Sequence, residues 1–188
     1  MQLNSHEYYN MMPDDKAKIG ASYCQDKSVH FDFFRNKDFT FKLENPIVFK
    51  IEHGKFSGAI SDYQIENCGF FLFSPRLRDV IDKYLTSIDL PKWYNAIVID
   101  LDNKEHEYHI LNFFNRANFL DYEQSTFIDK EKTHPIKQRF DIEKIGERLV
   151  FNPKSSNSII VHDLVRKQIK KECTNIYFYG IEKPGRLV

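Results

Sequence analysis

The sequence predicts an α+β fold, mainly antiparallel sheet, on three observations. Aromatic residues are plentiful, with 17 Phe and 10 Tyr among 188 residues, and such side chains suit half-buried strands. Short apolar runs alternate with turn-forming residues along the chain, as strands and hairpins do. Two segments, at about 69–88 and 157–176, each read as a strand followed by an amphipathic helix. They align without a gap at an offset of 88 residues, which places Phe71 on Ile159.

Residues 1–30 are polar and irregular, with Met12-Pro13-Asp14-Asp15 as a turn, and read as a loosely packed arm. Phe39–Leu43 alternates apolar with polar residues, and Ile47–Ile51 follows Pro46; both read as strands. Residues 1–60 are thus expected to form a variable arm and strands that pack on a main domain of residues 61–188. In Gly69–Leu85, the run Phe70–Phe73 suits a strand covered on both faces. Ser74 then offers a capping hydroxyl, and Pro75 sits where a missing N–H costs nothing. Leu77, Val80, Ile81, Tyr84 and Leu85 follow at helical spacing and form one apolar stripe.

Trp93–Leu101 and Glu107–Phe114 flank the turn residues Asp102-Asn103-Lys104 and predict an antiparallel hairpin. Phe119-Leu120 and Ser125–Ile128 add short strands, and Phe140–Ile142 and Leu149–Phe151 flank a turn near Gly146. At the 88-residue offset Val165 stands for Leu77, Arg166 for Arg78, Ile169 for Ile81 and Thr174 for Thr86, with His162 or Asp163 in the capping place of Ser74. Two copies are too few for a solenoid, so they predict a pseudo-symmetric pair of units within one domain.

Composition narrows the function. The 27 basic and 27 acidic side chains cancel, which disfavours a dedicated nucleic-acid binder. Cys24, Cys68 and Cys173 are odd in number and lack a Cys-x-x-Cys spacing. A disulfide framework or cysteine zinc site is not expected, and reduced thiols of a cytoplasmic protein are. Met1–Asn10 lacks the apolar core of a secretory signal, and no apolar run is long enough to span a membrane.

Several residues could carry chemistry. His106 and His109 would share a helical face, but on a strand their odd spacing sends them to opposite faces, so no metal site is expected. Asp121 and Glu123 would share a strand face and could serve in acid–base work, or simply form a polar turn. Asp62 is equally a turn former or cap. Cys68 precedes a buried strand, where thiols are usually inert. Nucleophile-elbow, phosphate-loop and dinucleotide fingerprints are absent. Trp93, the single tryptophan, reads either as a binding anchor or as a core residue at a strand start.

From Ser61 onward the order of features resembles a family of bacterial immunity proteins from polymorphic toxin systems, the eleventh immunity type. Ser61-Asp62-Tyr63 opens the likeness, followed by the strand and helix start Gly69–Ile81. Tyr108-His109-Ile110-Leu111-Asn112, Leu120–Ser125 and the closing strand and helix Ile159–Lys171 complete it. Pro75, in place of an acidic residue, and His162, in place of a serine, depart from the pattern. The resemblance implies a non-catalytic, cofactor-free inhibitor of a cognate toxin effector domain, with Trp93, Asp62, Asp121 and Glu123 as candidate toxin contacts. The competing reading is a hydrolase or nucleic-acid-processing enzyme that uses Asp121, Glu123 or a histidine.

Overall fold

The computed structural model describes residues 7–14, 20–25, 46–52, 59–132 and 135–181. The expected strand at Phe39–Leu43 lies outside them. Twelve strands are present among the described residues: β1 (Tyr8–Pro13), β2 (Ser22–Cys24), β3 (Ile47–Ile51), β4 (Tyr63–Gln64), β5 (Phe71–Phe73), β6 (Pro91–Ile99), β7 (Glu105–Phe113), β8 (Thr126–Phe127), β9 (Pro135–Lys137), β10 (Val150–Phe151), β11 (Ile159–His162) and β12 (Ile176–Gly180). Three α-helices accompany them: α1 (Pro75–Asp82), α2 (Ile142–Ile145) and α3 (Asp163–Glu172). The class is α+β, as expected.

The larger sheet has the order β2-β3-β6-β7-β5-β4, and its two edges meet. Ser22 forms a parallel bridge with Glu66, just beyond β4. Ser22 N–H donates to the Ile65 carbonyl at 2.9 Å and Gly20 N–H to that of Ala59 at 2.9 Å, while the Ser22 hydroxyl donates to Ile65 O at 2.8 Å. The six strands therefore close into a small barrel, which leaves the sheet no long open edge. Alternation fills the barrel: Ile47, Phe49 and Ile51 from β3, Tyr94, Ala96 and Val98 from β6, and Tyr108 and Ile110 from β7 form one buried cluster with Phe70 and Leu72.

The two strand–helix units are real and share a second core. In the first, β5 and β6 both run antiparallel to β7, which lies between them. In the second, β11 and β12 both run antiparallel to β1. Each unit is thus a parallel pair joined through a helix and split by an inserted strand, a split β-α-β arrangement. Phe71, Phe73, Leu77 and Ile81 and their counterparts Ile159, Val161, Val165 and Ile169 all lie in this core. The caps also correspond. The Ser74 hydroxyl accepts from Leu77 N–H at 3.2 Å, and His162 Nδ1 accepts from Leu164 N–H at 3.2 Å.

Residues 8–13 correct the reading of an irregular start. Met12-Pro13 ends a strand at the heart of the four-stranded sheet β10-β11-β1-β12, and Tyr8 and Met11 are fully buried. Its polar flanks concealed this strand, and its two faces meet different surroundings. Met11 enters the core between the helices, whereas Tyr8 packs with Phe119, Phe140, Ile145, Phe151 and Ile160 in a third cluster. Near Gly146 the expected turn is preceded by α2, whose first N–H groups donate to the Asp141 carboxylate; Gly146 itself has φ 63°, which a residue without Cβ adopts freely. No helix among the described residues is long and apolar enough to cross a membrane.

The barrel seam carries an acid whose titration should be visible. Glu66 accepts from Cys68 N–H at 2.5 Å and from Phe70 N–H at 2.7 Å. Burial nevertheless raises its carboxyl from 4.5 to about 7, the backbone donors opposing that shift. A raised folded value means that the native state keeps a proton which the unfolded chain has lost. The contribution of Glu66 is therefore fully present below its unfolded value and lost as pH rises through the folded one. Melting temperature should fall from pH 5 to pH 8 by an amount equivalent to at most about 3 kcal/mol. Glu66→Gln should flatten that part of the profile. An unchanged profile in the variant would count against this origin.

Candidate functional site

An open cleft of about 450 Å³ lies where the two units meet, lined among others by Ser61, Asp62, Arg76, His106, Tyr108 and Thr174. Asp62 is its hub and is only 7% exposed. Its Oδ1 accepts the Ser74 hydroxyl at 2.5 Å. Its Oδ2 accepts Thr174 N–H at 2.8 Å and the Thr174 hydroxyl at 3.3 Å, and Arg76 Nη1 stands 4.0 Å away. Its backbone carbonyl accepts Ser74 N–H at 2.9 Å. One carboxylate thus orients the cap of α1 and fastens the first unit to the residues after α3. Asp62 acts as a clamp, with its acceptor sites filled from within the protein.

The remaining cleft groups are also held internally. The Tyr108 phenol donates to Ser61 O at 2.5 Å, and burial, reinforced by the charge of Asp62, keeps its acidity far below that of a free tyrosine. His106 Nε2 lies 2.7 Å from Asp100 Oδ2, and this bond, with the backbone donors of the turn, lowers the Asp100 carboxyl. His109 is buried apart from it, with Arg78 Nη1 at 3.1 Å from its Nε2. The same Nε2 lies 3.3 Å from Glu107 Oε1, so the ring stands between a cation and a carboxylate. Burial, and then Arg78, lower its proton affinity, and the Glu107 and Asp79 carboxylates oppose that shift. As the strand reading required, the two histidines have separate partners. No group of three or more metal-ligating side chains is found among the described residues.

The other residues singled out from sequence lie apart. Asp121 forms a turn: its Oδ1 accepts from Glu123 N–H at 3.0 Å and Gln124 N–H at 3.1 Å, and its Oδ2 from the Gln124 amide at 2.8 Å. Glu123 is exposed. Among the described residues no histidine contacts either carboxylate: His106 is paired with Asp100, His109 with Arg78 and Glu107, and His162 with Glu7. Trp93 takes the core role in part. Its ring packs partly buried against the shared core, and its indole N–H reaches the Asp82 carboxylate at 2.8 Å.

Sequence reasoning missed the most buried ion pair. Arg148 Nε donates to both oxygens of Asp89 at 2.9 Å, and Nη1 donates to Ile145 O at 2.9 Å. The guanidinium also lies over the Phe119 ring at 5.1 Å. Burial raises the Asp89 carboxyl and Arg148 opposes that shift. The pair locks the short 3-10 turn Ser87–Asp89 against the region of α2. Leu90 follows with φ 46° and is 58% exposed. No local motif announces a pair 59 residues apart in the chain.

The polar chemistry of the cleft is spent inside the protein, and its rim is what meets solvent: Arg76 is 61% and Glu107 70% exposed in their side chains. The chain belongs to the Immunity protein family (Imm11), whose model matches residues 7–183. That match begins far before Ser61, so the early strands belong to the family pattern too. No curated protein matches the chain.

Proposed function

We propose that this chain protects its host by binding a cognate bacterial toxin effector domain in the cytoplasm and blocking it by protein–protein contact, with no cofactor and no reaction of its own. The observation that carries the reading is membership of an immunity family across residues 7–183. The physical setting supports it. A binding surface needs walls that do not yield and a rim of mixed charge that excludes wrong partners. Asp62 supplies rigidity by clamping Ser74 and Thr174, and Arg76 and Glu107 stand exposed at the mouth.

Of the residues expected to touch the toxin, Trp93 and Glu123 have side chains in reach of a partner. Asp62 and Asp121 act by holding the backbone around them. Co-expression with the toxin encoded beside its gene should restore growth and yield a complex on co-purification. Arg76→Ala should weaken that complex by about tenfold, as truncation of an interfacial arginine does, with only a small fall in melting temperature, because its side chain is 61% exposed and stands 4.0 Å from Asp62. Growth no better than with an empty vector would sink the proposal.

A further inference from the structure

We propose that Cys24 and Cys68 form an intramolecular disulfide on oxidation, a covalent modification site that fastens the seam of the barrel. The seam places the two residues opposite each other. Ser22 is bridged in parallel to Glu66, and two residues further on stand Cys24, the last residue of β2, and Cys68, in the bend that follows the bridge. At the bridge the two segments lie roughly 4.8 Å apart, and a disulfide accepts about 4.4–6.8 Å between Cα atoms, so a small adjustment of the bend suffices to join the pair.

Side-chain contacts agree with this register. Cys24 N–H donates to Asn67 Oδ1 at 3.0 Å, and the Cys68 thiol lies 3.4 Å from the same oxygen. Cys24 is also close enough to act on the charge of the Cys68 thiol. Both side chains pack, half-buried, against the barrel core, whereas Cys173 is buried in the separate core between the helices. The geometry therefore selects one pair out of three cysteines.

The reaction balances with an external disulfide such as oxidised glutathione as the oxidant. One protein thiolate attacks it, forms a mixed disulfide and expels a first thiolate. The second protein thiol then gives up its proton and attacks the protein sulfur of that mixed bond, releasing the second thiol. Two electrons pass from the protein pair to the oxidant, and the two protons end on the departing thiols. Burial, with Cys24 and Glu66 adding to it, pushes the Cys68 thiol up to about 12. The reaction should accordingly be slow at neutral pH and quicken as pH rises.

The test uses the purified full chain treated with oxidised glutathione, then denatured and alkylated. The expected product has lost two hydrogens in mass and takes up one alkyl group, at Cys173, where the reduced protein with its three cysteines takes up three. A peptide joining Cys24 to Cys68 should be recovered. The melting temperature should rise on the order of 5–10 °C, reversibly with dithiothreitol and not in Cys68→Ser. Three alkyl groups after oxidation would overturn the proposal. So would a stable glutathione adduct on either residue, or a bond to Cys173. A linked protein that melts lower than the reduced one would overturn the fastening role. Intact mass reads the linkage directly, so the test survives even if Cys68→Ser folds poorly.

Discussion

Substituting Arg148 with Met is expected to destabilise the fold by about 3–5 kcal/mol, because it leaves a buried carboxylate without its partner. Asp89 is 2% and Arg148 9% exposed, so water cannot replace the lost donors cheaply. The penalty belongs to the orphaned charge more than to the lost attraction. The paired change Asp89→Leu with Arg148→Met should therefore recover most of the loss. Urea unfolding of wild type, both single variants and the double variant provides the cycle. A loss under about 1 kcal/mol for Arg148→Met would show that the pair is better solvated than its burial indicates.

Asp62→Ala is expected to cost about 2–4 kcal/mol, since it strips the Ser74 hydroxyl and both Thr174 donors of their acceptor at once. Asp62→Asn, which retains one carbonyl oxygen, should lose less. Asp121→Ala removes a comparable number of hydrogen bonds, but from an exposed turn. Water can take over those donors, so its cost should stay near 1 kcal/mol or below. Denaturation midpoints of the three variants decide the matter: equal losses at positions 62 and 121 would refute the clamp. Because Asp62 ties α1 to the residues beyond α3, its loss should also loosen the cleft mouth.

What was legible in the chain was what local periodicity encodes. The run Phe70–Phe73, the cap Ser74 and the stripe Leu77, Val80 and Ile81 announced β5 and α1, and the same grammar at Ile159–Ile169 announced β11 and α3. The hairpin of β6 and β7 followed from its turn residues. Strand β1 was hidden, since a strand whose two faces meet different cores shows no period-two alternation. The seam was hidden too, because it joins Ser22 to Glu66 through few bonds. Asp62 was noticed, but its meaning rests on Thr174, 112 residues away. Sequence separation of that size leaves no local signature.

The place of β1 has a consequence for the timing of synthesis. Its two neighbours, β11 and β12, come from the far end of the chain, and 146 residues separate Pro13 from Ile159 (159 − 13). At about 5–20 residues per second, the ribosome takes on the order of 10 s to deliver them. Throughout that interval β1, with Tyr8 and Met11 destined for the interior, lacks the strands it pairs with. Burial of Tyr8 and Met11 must wait until β11 and β12 have been made, so this sheet closes only after the residues between its strands exist.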